Sequence, residues 1–599
     1  MLAALKSEIA YLRGLLRVVK ATKPVTAVAT KTLGDHLDEW VGRSGDNPAL
    51  ANETESLTYR QLGARSNAYA RWAVSQGLGK GDAVALIMPN RPEYLAIWFG
   101  LARVGVATAL INTNLTGPSL VHSLKSVNAR AAIVDRALAS AFATARADLT
   151  AKTAIWSHGD AGNADSRIDL AVDRLSGEPL AASERRNVTI DDTAVYIYTS
   201  GTTGLPKAAR ITHSRALRVM YGFGAALGAR PDDRSYMVLP MYHSNGGLIA
   251  PGLVLPYGGS GFIRERFSAR AFWSDSIAQN CTTFVYIGEL CRYLLNAPPT
   301  DIDRAHGIRA CIGNGLRPDI FVAFQARFGV RNVLEFYAAT EGNAVMMNFD
   351  SRPGAIGRIP KWATNRFPVK VVAYDHDANA PVRDALGRCR ELGPDEIGEL
   401  LAEIRDDPKM PAARFDGYAD PKATQQKVLR DAFKPGDTWF RTGDLVKQDS
   451  KGYFYFVDRI GDTFRWKGEN VSTTEVAETL QQFPGVQEAV VYGVAVSRHD
   501  GRAGMAALVV DTPATFDLDG LHAFLAERLP AYARPMFLRF RSQIEVTGTF
   551  KQRKVDLVAE GFDTRRVGDP VYFDDRARSG YGPVRDDWLA GLESGEVRL

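Results

Sequence analysis

YTSGTTGLPK, residues 198–207, decides the fold. It continues the apolar run AVYIY (194–198), so a strand feeds directly into a glycine loop. Gly201 and Gly204 let successive backbone amides turn inward and form an anion-binding nest. Thr199, Ser200, Thr202 and Thr203 add hydroxyls, Lys207 adds charge, and Pro206 stiffens the exit. A plain surface turn has no need of so many hydroxyls beside a lysine, so the stretch reads as a phosphate loop. It is not a P-loop, whose pattern is G-x-x-x-x-G-K-[ST]. Leu205 and Pro206 separate Gly204 from Lys207, and Ala208 leaves no metal-binding hydroxyl after the lysine. No G-x-G-x-x-G follows a strand, so a dinucleotide-binding fold lacks support.

Working outward, strand and helix periods alternate. Residues 34–75 read as two helices separated by the turn-like SGDNPA and the strand-like ESLTYR. GDAVALIMPN is a buried strand stopped at Pro89 and Asn90, and PEYLAIWFGLARVGVATALIN is helix, glycine break and strand. ARAAIVD, TTFVYIGELCRYLLN, GIRACIGNGLRPDIFVAFQARFG and RNVLEFYAATEGN repeat the pattern. Such alternation predicts an α/β fold with parallel and mixed sheets flanked by helices. After about residue 365 the chain turns β-rich, and a last α/β segment follows KGYFYFVDRIGDTFRWKGEN. The expected division is a large domain over 31–459, including a β-subdomain, and a small mobile α/β domain over 460–599.

At 599 residues the chain is too long for one core. Its 73 basic and 68 acidic residues leave a net charge of +5, too slight an excess to suggest a nucleic-acid partner. Four cysteines, 281, 291, 311 and 389, form no C-x-x-C pair. They read as reduced thiols of a cytoplasmic protein, with no zinc site expected.

The first 30 residues carry a distinct signal. In MLAALKSEIAYLRGLLRVVK, Leu5, Ile9, Leu12, Leu16 and Val19 recur at helical spacing among Lys6, Glu8, Arg13, Arg17 and Lys20. No run of about 20 apolar residues exists to span a bilayer, and the charges exclude a secretory h-region. Two readings stand: a basic amphipathic helix lying on an anionic membrane surface, peripheral at the inner face of the cell membrane, or a helix packed on its own domain.

The loop's companions give its meaning. YTSGTTGLPK resembles the signature loop of the adenylate-forming superfamily, which includes acyl-CoA synthetases, luciferases and peptide-synthetase adenylation domains. PMYHSNGG (240–247) resembles that superfamily's acyl-pocket segment and GNGLRPD (313–319) its adenine-cradling loop. EFYAATEGN (335–343), FRTGDL (440–445), DRIGDTFRWKGENV (458–471) and TGTFKQRK (547–554) follow in the superfamily's order. YIGELCRYLLN (286–296), EFYAATEGN and DTFRWKGENVSTTEV (462–476) are most similar to the fatty acid transport protein and very-long-chain acyl-CoA synthetase family.

The resemblance implies a reaction and a site. A carboxylate, already ionised, attacks the α-phosphorus of ATP; it needs positioning and cations rather than a base. Coenzyme A then displaces AMP. The nest and Lys207 would clamp the β- and γ-phosphates. Glu341 would bind Mg2+, a hard oxygen for a hard ion, and Thr340 would donate to the α-phosphate. Tyr337 would stack on adenine above Gly313, Asn314 and Gly315, while Asp444 and Arg459 hold the ribose. Lys551 is the implied adenylation lysine, although Phe550 replaces the usual glycine before it. His243, Asn245 and Gly246 would border the acyl group. Lys467 and Gly468 would reach the thioester tunnel when the small domain rotates about a hinge at Gly461 and Asp462. Many superfamily members carry Gly-x-Arg where this chain has Gly468-Glu469-Asn470, leaving Arg465 or Lys467 to substitute.

The function expected is ATP-dependent activation of a long- or very-long-chain fatty acid to acyl-AMP and then acyl-CoA, coupled or not to fatty acid uptake. The alternatives are an acyl-AMP ligase that loads a carrier protein and a CoA ligase for a bulky, sterol-type carboxylate. Oligomeric state has no signature in the sequence.

Overall fold

The computed structural model describes the whole chain except residues 1, 27–28, 150–152, 163–164, 201–204, 377, 408–409, 468, 498, 500, 546–553, 576–577, 579, 595 and 598–599. Among the described residues, two large sheets form the body. One has seven strands in the order Ser166–Arg167, Ala154–His158, Ala131–Asp135, Ala83–Ile87, Ala107–Leu110, Thr193–Ser200 and Pro206–Thr212. All its pairs are parallel except the last, which brings the phosphate-loop strand back on itself. AVALI and AAIVD are buried at every position, as expected for strands covered on both faces.

The second sheet has eight strands, running from Val345–Asn348 through Asn332–Ala338, Ala310–Asn314, Thr283–Ile287, Arg234–Met237, Ser260–Ile263 and Pro48–Ala51 to Ser56–Thr58. Its centre is parallel, with antiparallel strands at both edges. The strand Pro48–Ala51 begins within the stretch read as a turn, which ends at Ala49. It is four residues long and pairs with Ser56–Thr58 on one side and with Gly261 and Phe262, about 210 residues away in the chain, on the other. The helix Pro92–Arg103 is buried all round. A Cβ at Gly100 would stand 2.5 Å from the Ser66 carbonyl, so only glycine allows the neighbouring helix this close.

After residue 356 the chain builds an antiparallel six-stranded sheet. A separate apolar core then runs from Phe464 to Leu592 around a five-stranded mixed sheet. Arg292, in the helix Gly288–Asn296, clasps this core to the body. It donates to the Gln487 carbonyl at 2.9 Å and to Glu488 at 3.0 Å, while Glu289 on its own helix lies 2.6 Å away. Arg317 donates to Gln481 beside it. All four cysteines are buried free thiols.

The first helix, Leu2–Thr22, settles how its faces are used. Tyr11 and Leu15 are buried, and Gly14 lies directly on the Phe349 ring. Ser7 accepts from or donates to Tyr453 at 2.9 Å, Glu8 pairs with Arg358, and Arg17 donates to the Ala226 carbonyl at 3.1 Å. The helix therefore docks on the body, but through the side opposite the periodic leucines. Leu5 and Leu16 remain 59% and 57% exposed, with Ile9, Leu12 and Val19 beside them. No described helix is long and apolar enough to cross a membrane.

A buried ion cluster closes the carboxyl ends of the first sheet. His158 lies 3.5 Å from Asp135 and 3.9 Å from Glu93, and Glu93 also accepts from Arg65 at 2.7 Å and from Tyr69 at 2.5 Å. Burial opposes the imidazolium, yet the two carboxylates outweigh it and hold the His158 pKa up near 9. A histidine raised on folding stabilises fully below its unfolded pKa, about 6.5, and loses that contribution as pH rises through its folded value. The Tm gap between wild type and H158Q is expected to be widest below about pH 6.5 and to close as pH approaches about 9. A gap independent of pH would assign His158 a packing role alone.

Candidate active site

The phosphate-loop strand returns with Thr199 opposite Lys207 and Ser200 opposite Pro206. Gly201, Thr202, Thr203 and Gly204 lie outside the described residues. The returning strand pairs in turn with 417–419: Arg210 donates to the Gly417 carbonyl at 3.0 Å and Ala419 to that of Ala208 at 2.9 Å. This places Tyr418 beside the returning strand, where Glu341 Oε1 accepts its hydroxyl at 2.7 Å. Burial, then the Glu341 charge, hold the phenol far above its ordinary pKa, so it remains a donor.

The loop after Asn332–Ala338 is shaped by Arg215, in the first turn of the helix His213–Leu227. Its guanidinium donates to the carbonyls of Ala339 at 3.2 Å, Thr340 at 2.7 Å and Gly342. The Thr340 hydroxyl meets that of Ser244 at 2.9 Å, and Asn245 donates to the Asn314 side-chain oxygen at 2.9 Å. Three segments far apart in sequence, around 244, 314 and 340, thus converge. A Cβ at Gly246 would stand 2.2 Å from the Pro240 carbonyl, so its glycine serves close packing. Asn245–Ile249 forms a π-helical turn, a feature that often marks functional sites. The His243 ring lies 4.6 Å from that of Tyr242.

The Tyr337 hydroxyl donates to Asp444 Oδ2 at 2.6 Å, and Arg459 Nε lies 3.6 Å from Oδ1. The Tyr337 ring belongs to a buried cluster with Met346, Ile356 and Phe454. Asp444 follows Gly443, which is left-handed at φ +76°. The turn is held by Glu399, which receives Arg441 at 2.9–3.1 Å and the Gly443 amide at 3.3 Å. Lys427 enters here too, donating to the Thr442 carbonyl at 3.2 Å. Burial lowers its pKa against the pull of Glu341, Asp444 and Glu399. Tyr418, Arg215 and Lys427 are site residues that sequence reasoning missed.

At the expected hinge, Ile460 donates to the Gly443 carbonyl and Asp462 to that of Arg459, both at 3.0 Å. The Asp462 carboxylate holds Lys554 at 3.3 Å, and Lys554 also donates to Thr473 at 2.8 Å. Gly461 is not left-handed and a Cβ there would meet open space, so this arrangement does not itself demand glycine. Lys467 does adopt a left-handed conformation, φ +53°, at the turn of the hairpin Phe464–Trp466 and Glu469–Val471. Arg465 and Asn470 face each other across that hairpin. Gly468 and Lys551 lie outside the described residues.

The pattern of the AMP-binding enzyme family matches residues 37–403. The chain belongs to that family. The C-terminal domain of AMP-binding enzymes matches residues 475–551 as well. Among similar proteins, long-chain fatty acid transport protein 3 of Homo sapiens is 42% identical over 532 residues, 87% of this chain and 76% of that one. Long-chain fatty acid transport protein 1 of Rattus norvegicus is 40% identical over 564 residues, 93% of this chain and 86% of that one. Solved structures share the AMP-binding enzyme fold. The anthranilate CoA ligase AuaEII in complex with anthranoyl-AMP has a TM-score of 0.73 at 22% identity, covering 88% of this chain and 97% of that one. Mycobacterium tuberculosis fatty acyl CoA synthetase has a TM-score of 0.62 at 24% identity, covering 88% and 98%.

Proposed function

We propose that this AMP-binding enzyme activates a long- or very-long-chain fatty acid with ATP and passes the acyl group to coenzyme A. The observation that supports this most is the convergence of the acyl, adenine and Thr-Glu segments through Asn245–Asn314 and Ser244–Thr340, in a chain about 40% identical to long-chain fatty acid transport proteins over most of its length.

In the first step a fatty carboxylate oxygen bonds to the α-phosphorus as the bond to the β-phosphate bridging oxygen breaks, releasing pyrophosphate. Thr340 and the phosphate loop hold the reacting phosphates, with Lys207 on the leaving pyrophosphate and Lys551 between carboxylate and α-phosphate. Asp444 and Arg459 hold the ribose, and Tyr337 and the Gly313–Gly315 loop the base. In the second step the coenzyme A sulfur attacks the acyl carbon, and AMP leaves.

Mg2+ fits at Glu341. Tyr418 engages Oε1, and among the described residues no cluster of three or more His, Cys, Asp or Glu could hold a metal unaided. Magnesium suits such a place, since it takes one or two carboxylates and draws its other ligands from phosphates and water. When bound it neutralises charge on the triphosphate.

We place the division between domains near residue 460, with Gly461 and Asp462 as hinge. Rotation there would withdraw Lys551 and bring Lys467 and Gly468 to the thioester tunnel. A glycine that the present backbone does not need is consistent with a second conformation that does.

The deciding measurement is AMP release across a panel of carboxylic acids with and without coenzyme A. Release of AMP and acyl-CoA with long-chain acids supports the proposal. Turnover that needs a carrier protein, or a sterol-type acid, favours one of the alternatives. No ATP-dependent release with any acid overturns the proposal.

A specific observation favours a peripheral membrane location. The docked first helix presents its leucines outward, and Trp362, which is 55% exposed, packs on Tyr11 and Glu8 at the rim of its docked side. Lys6 and Lys361 flank them in sequence. An amphipathic face with lysines and a tryptophan suits an anionic lipid surface. The triple variant L5S/L12S/L16S is expected to lose about tenfold or more of its partition onto phosphatidylserine vesicles while keeping wild-type turnover in solution. Equal pelleting of wild type and variant would remove the membrane role.

A further inference from the structure

Glu335 opens the EFYAATEGN segment. It is 3% exposed, on the strand Asn332–Ala338 beside the strand that ends in Gly313 and Asn314. Its Oε1 accepts the Leu316 amide at 3.0 Å, just beyond the Gly313–Gly315 loop, and the Gly315 amide faces the same carboxyl. Its Oε2 lies 2.6 Å from the Tyr286 hydroxyl. That hydroxyl also lies 2.8 Å from the Leu334 carbonyl oxygen. The loop is pressed from below as well: a Cβ on Gly288 would overlap the Gly315 carbonyl, and one on Gly313 would overlap the Tyr286 carbonyl and ring.

Proton counting bears on the charge. A tyrosine carries one hydroxyl proton. With Glu335 ionised, that proton serves either Oε2 or the Leu334 carbonyl, and the other contact sets two acceptors against each other within hydrogen-bond distance. A protonated carboxyl adds the missing hydrogen: Glu335 donates to Tyr286, Tyr286 donates to Leu334, and Oε1 stays free for the backbone amides. The other titratable groups that face this pocket, Cys291 and Cys311, are thiols that burial holds neutral. Their surroundings offer the carboxyl no positive charge.

We propose that Glu335 stands in this enzyme as a neutral carboxylic acid, a positioning residue that gives its proton to Tyr286 and fixes the Gly313–Gly315 loop through Leu316. This rests on the reading of that loop as the adenine side of the ATP site. Burial raises the Glu335 pKa to about 8, against the opposing hydrogen bonds from Tyr286 and the Leu316 and Gly315 amides. The group therefore sheds its proton in mildly alkaline solution; the Tyr286 hydroxyl then turns to Oε2 and gives up its bond to the Leu334 carbonyl, which steadies the Tyr286 ring and backbone against Gly313.

Two measurements test this on the full chain. The first needs no substrate. An infrared difference spectrum between wild type and E335Q near neutral pH shows the carbonyl band of a protonated carboxylic acid, which fades as pH rises past about 8. The second is the pH dependence of the KM for ATP. In wild type it climbs above about pH 8; in E335Q, whose amide copies the neutral acid's donor and acceptor, it stays level. E335A raises it about tenfold or more at every pH with a smaller change in kcat, since the Leu316 amide loses its buried acceptor. Absence of the infrared band overturns the neutral acid. An E335Q that behaves like E335A, or an alkaline limb common to wild type and E335Q, overturns the positioning role. The infrared band is read without ATP, so its result stands apart from the proposed ATP chemistry.

Discussion

Replacing Lys551 with alanine slows acyl-adenylate formation by more than about a hundredfold, the loss expected when one preorganised cation no longer meets the charge of the transition state. Adenylation alone should suffer. Thioester formation from preformed acyl-AMP should continue, because the superfamily resemblance implies that this lysine has left the site by then. Pyrophosphate exchange measures the first half-reaction, and an unchanged exchange rate would remove Lys551 from its role. Lys554, three residues on, is no substitute. It is held by Asp462 and Thr473, so its ammonium is committed to the expected hinge.

The second large effect is expected of E341Q. Glutamine keeps an oxygen for the Tyr418 hydroxyl, which Glu341 now accepts at 2.7 Å, so the local structure and Tm should hold. What disappears is the negative charge proposed for magnesium. Adenylate formation at low magnesium should fall by roughly a hundred- to a thousandfold, the scale of losing a group that orders charge in the transition state. Excess magnesium should recover part of the rate. A variant with normal turnover and an unshifted magnesium dependence would place the metal elsewhere.

How much of this was legible beforehand depended on distance along the chain. Asp444, Arg459, Thr340 and Asn245 can be singled out from sequence because each sits in a local run that resembles a motif of the adenylate-forming superfamily. Arg215 gives no such signal. In sequence it is one more arginine at the start of a helix, and only the fold turns its guanidinium onto the carbonyls of 339, 340 and 342. Lys427 sits in the polar run QQK, and Tyr418 reaches Glu341 only because residues 417–419 pair with the strand after the phosphate loop. The first helix was legible in its period but not in its orientation. Its leucines mark the uncovered face, because Tyr11, Gly14 and Leu15 fit the body more closely. Pro48 and Ala49 read as the end of a turn, whereas the strand Pro48–Ala51 pairs with Ser56–Thr58 nearby and with Gly261 and Phe262, about 210 residues downstream. Local propensity could not weigh a pairing that remote.

The Arg292 clasp has a consequence for how freely the small domain can leave. Separating a buried guanidinium from its carboxylate is ordinarily prohibitive, because the stranded charge finds neither water nor partner. Here the departing Glu488 would leave Arg292 with Glu289, which rides on the same helix three residues earlier and already touches the guanidinium. The clasp carries its own stand-in. It can give orientation to one arrangement of the two domains and release it again without abandoning a naked charge, as the rotation proposed above would require.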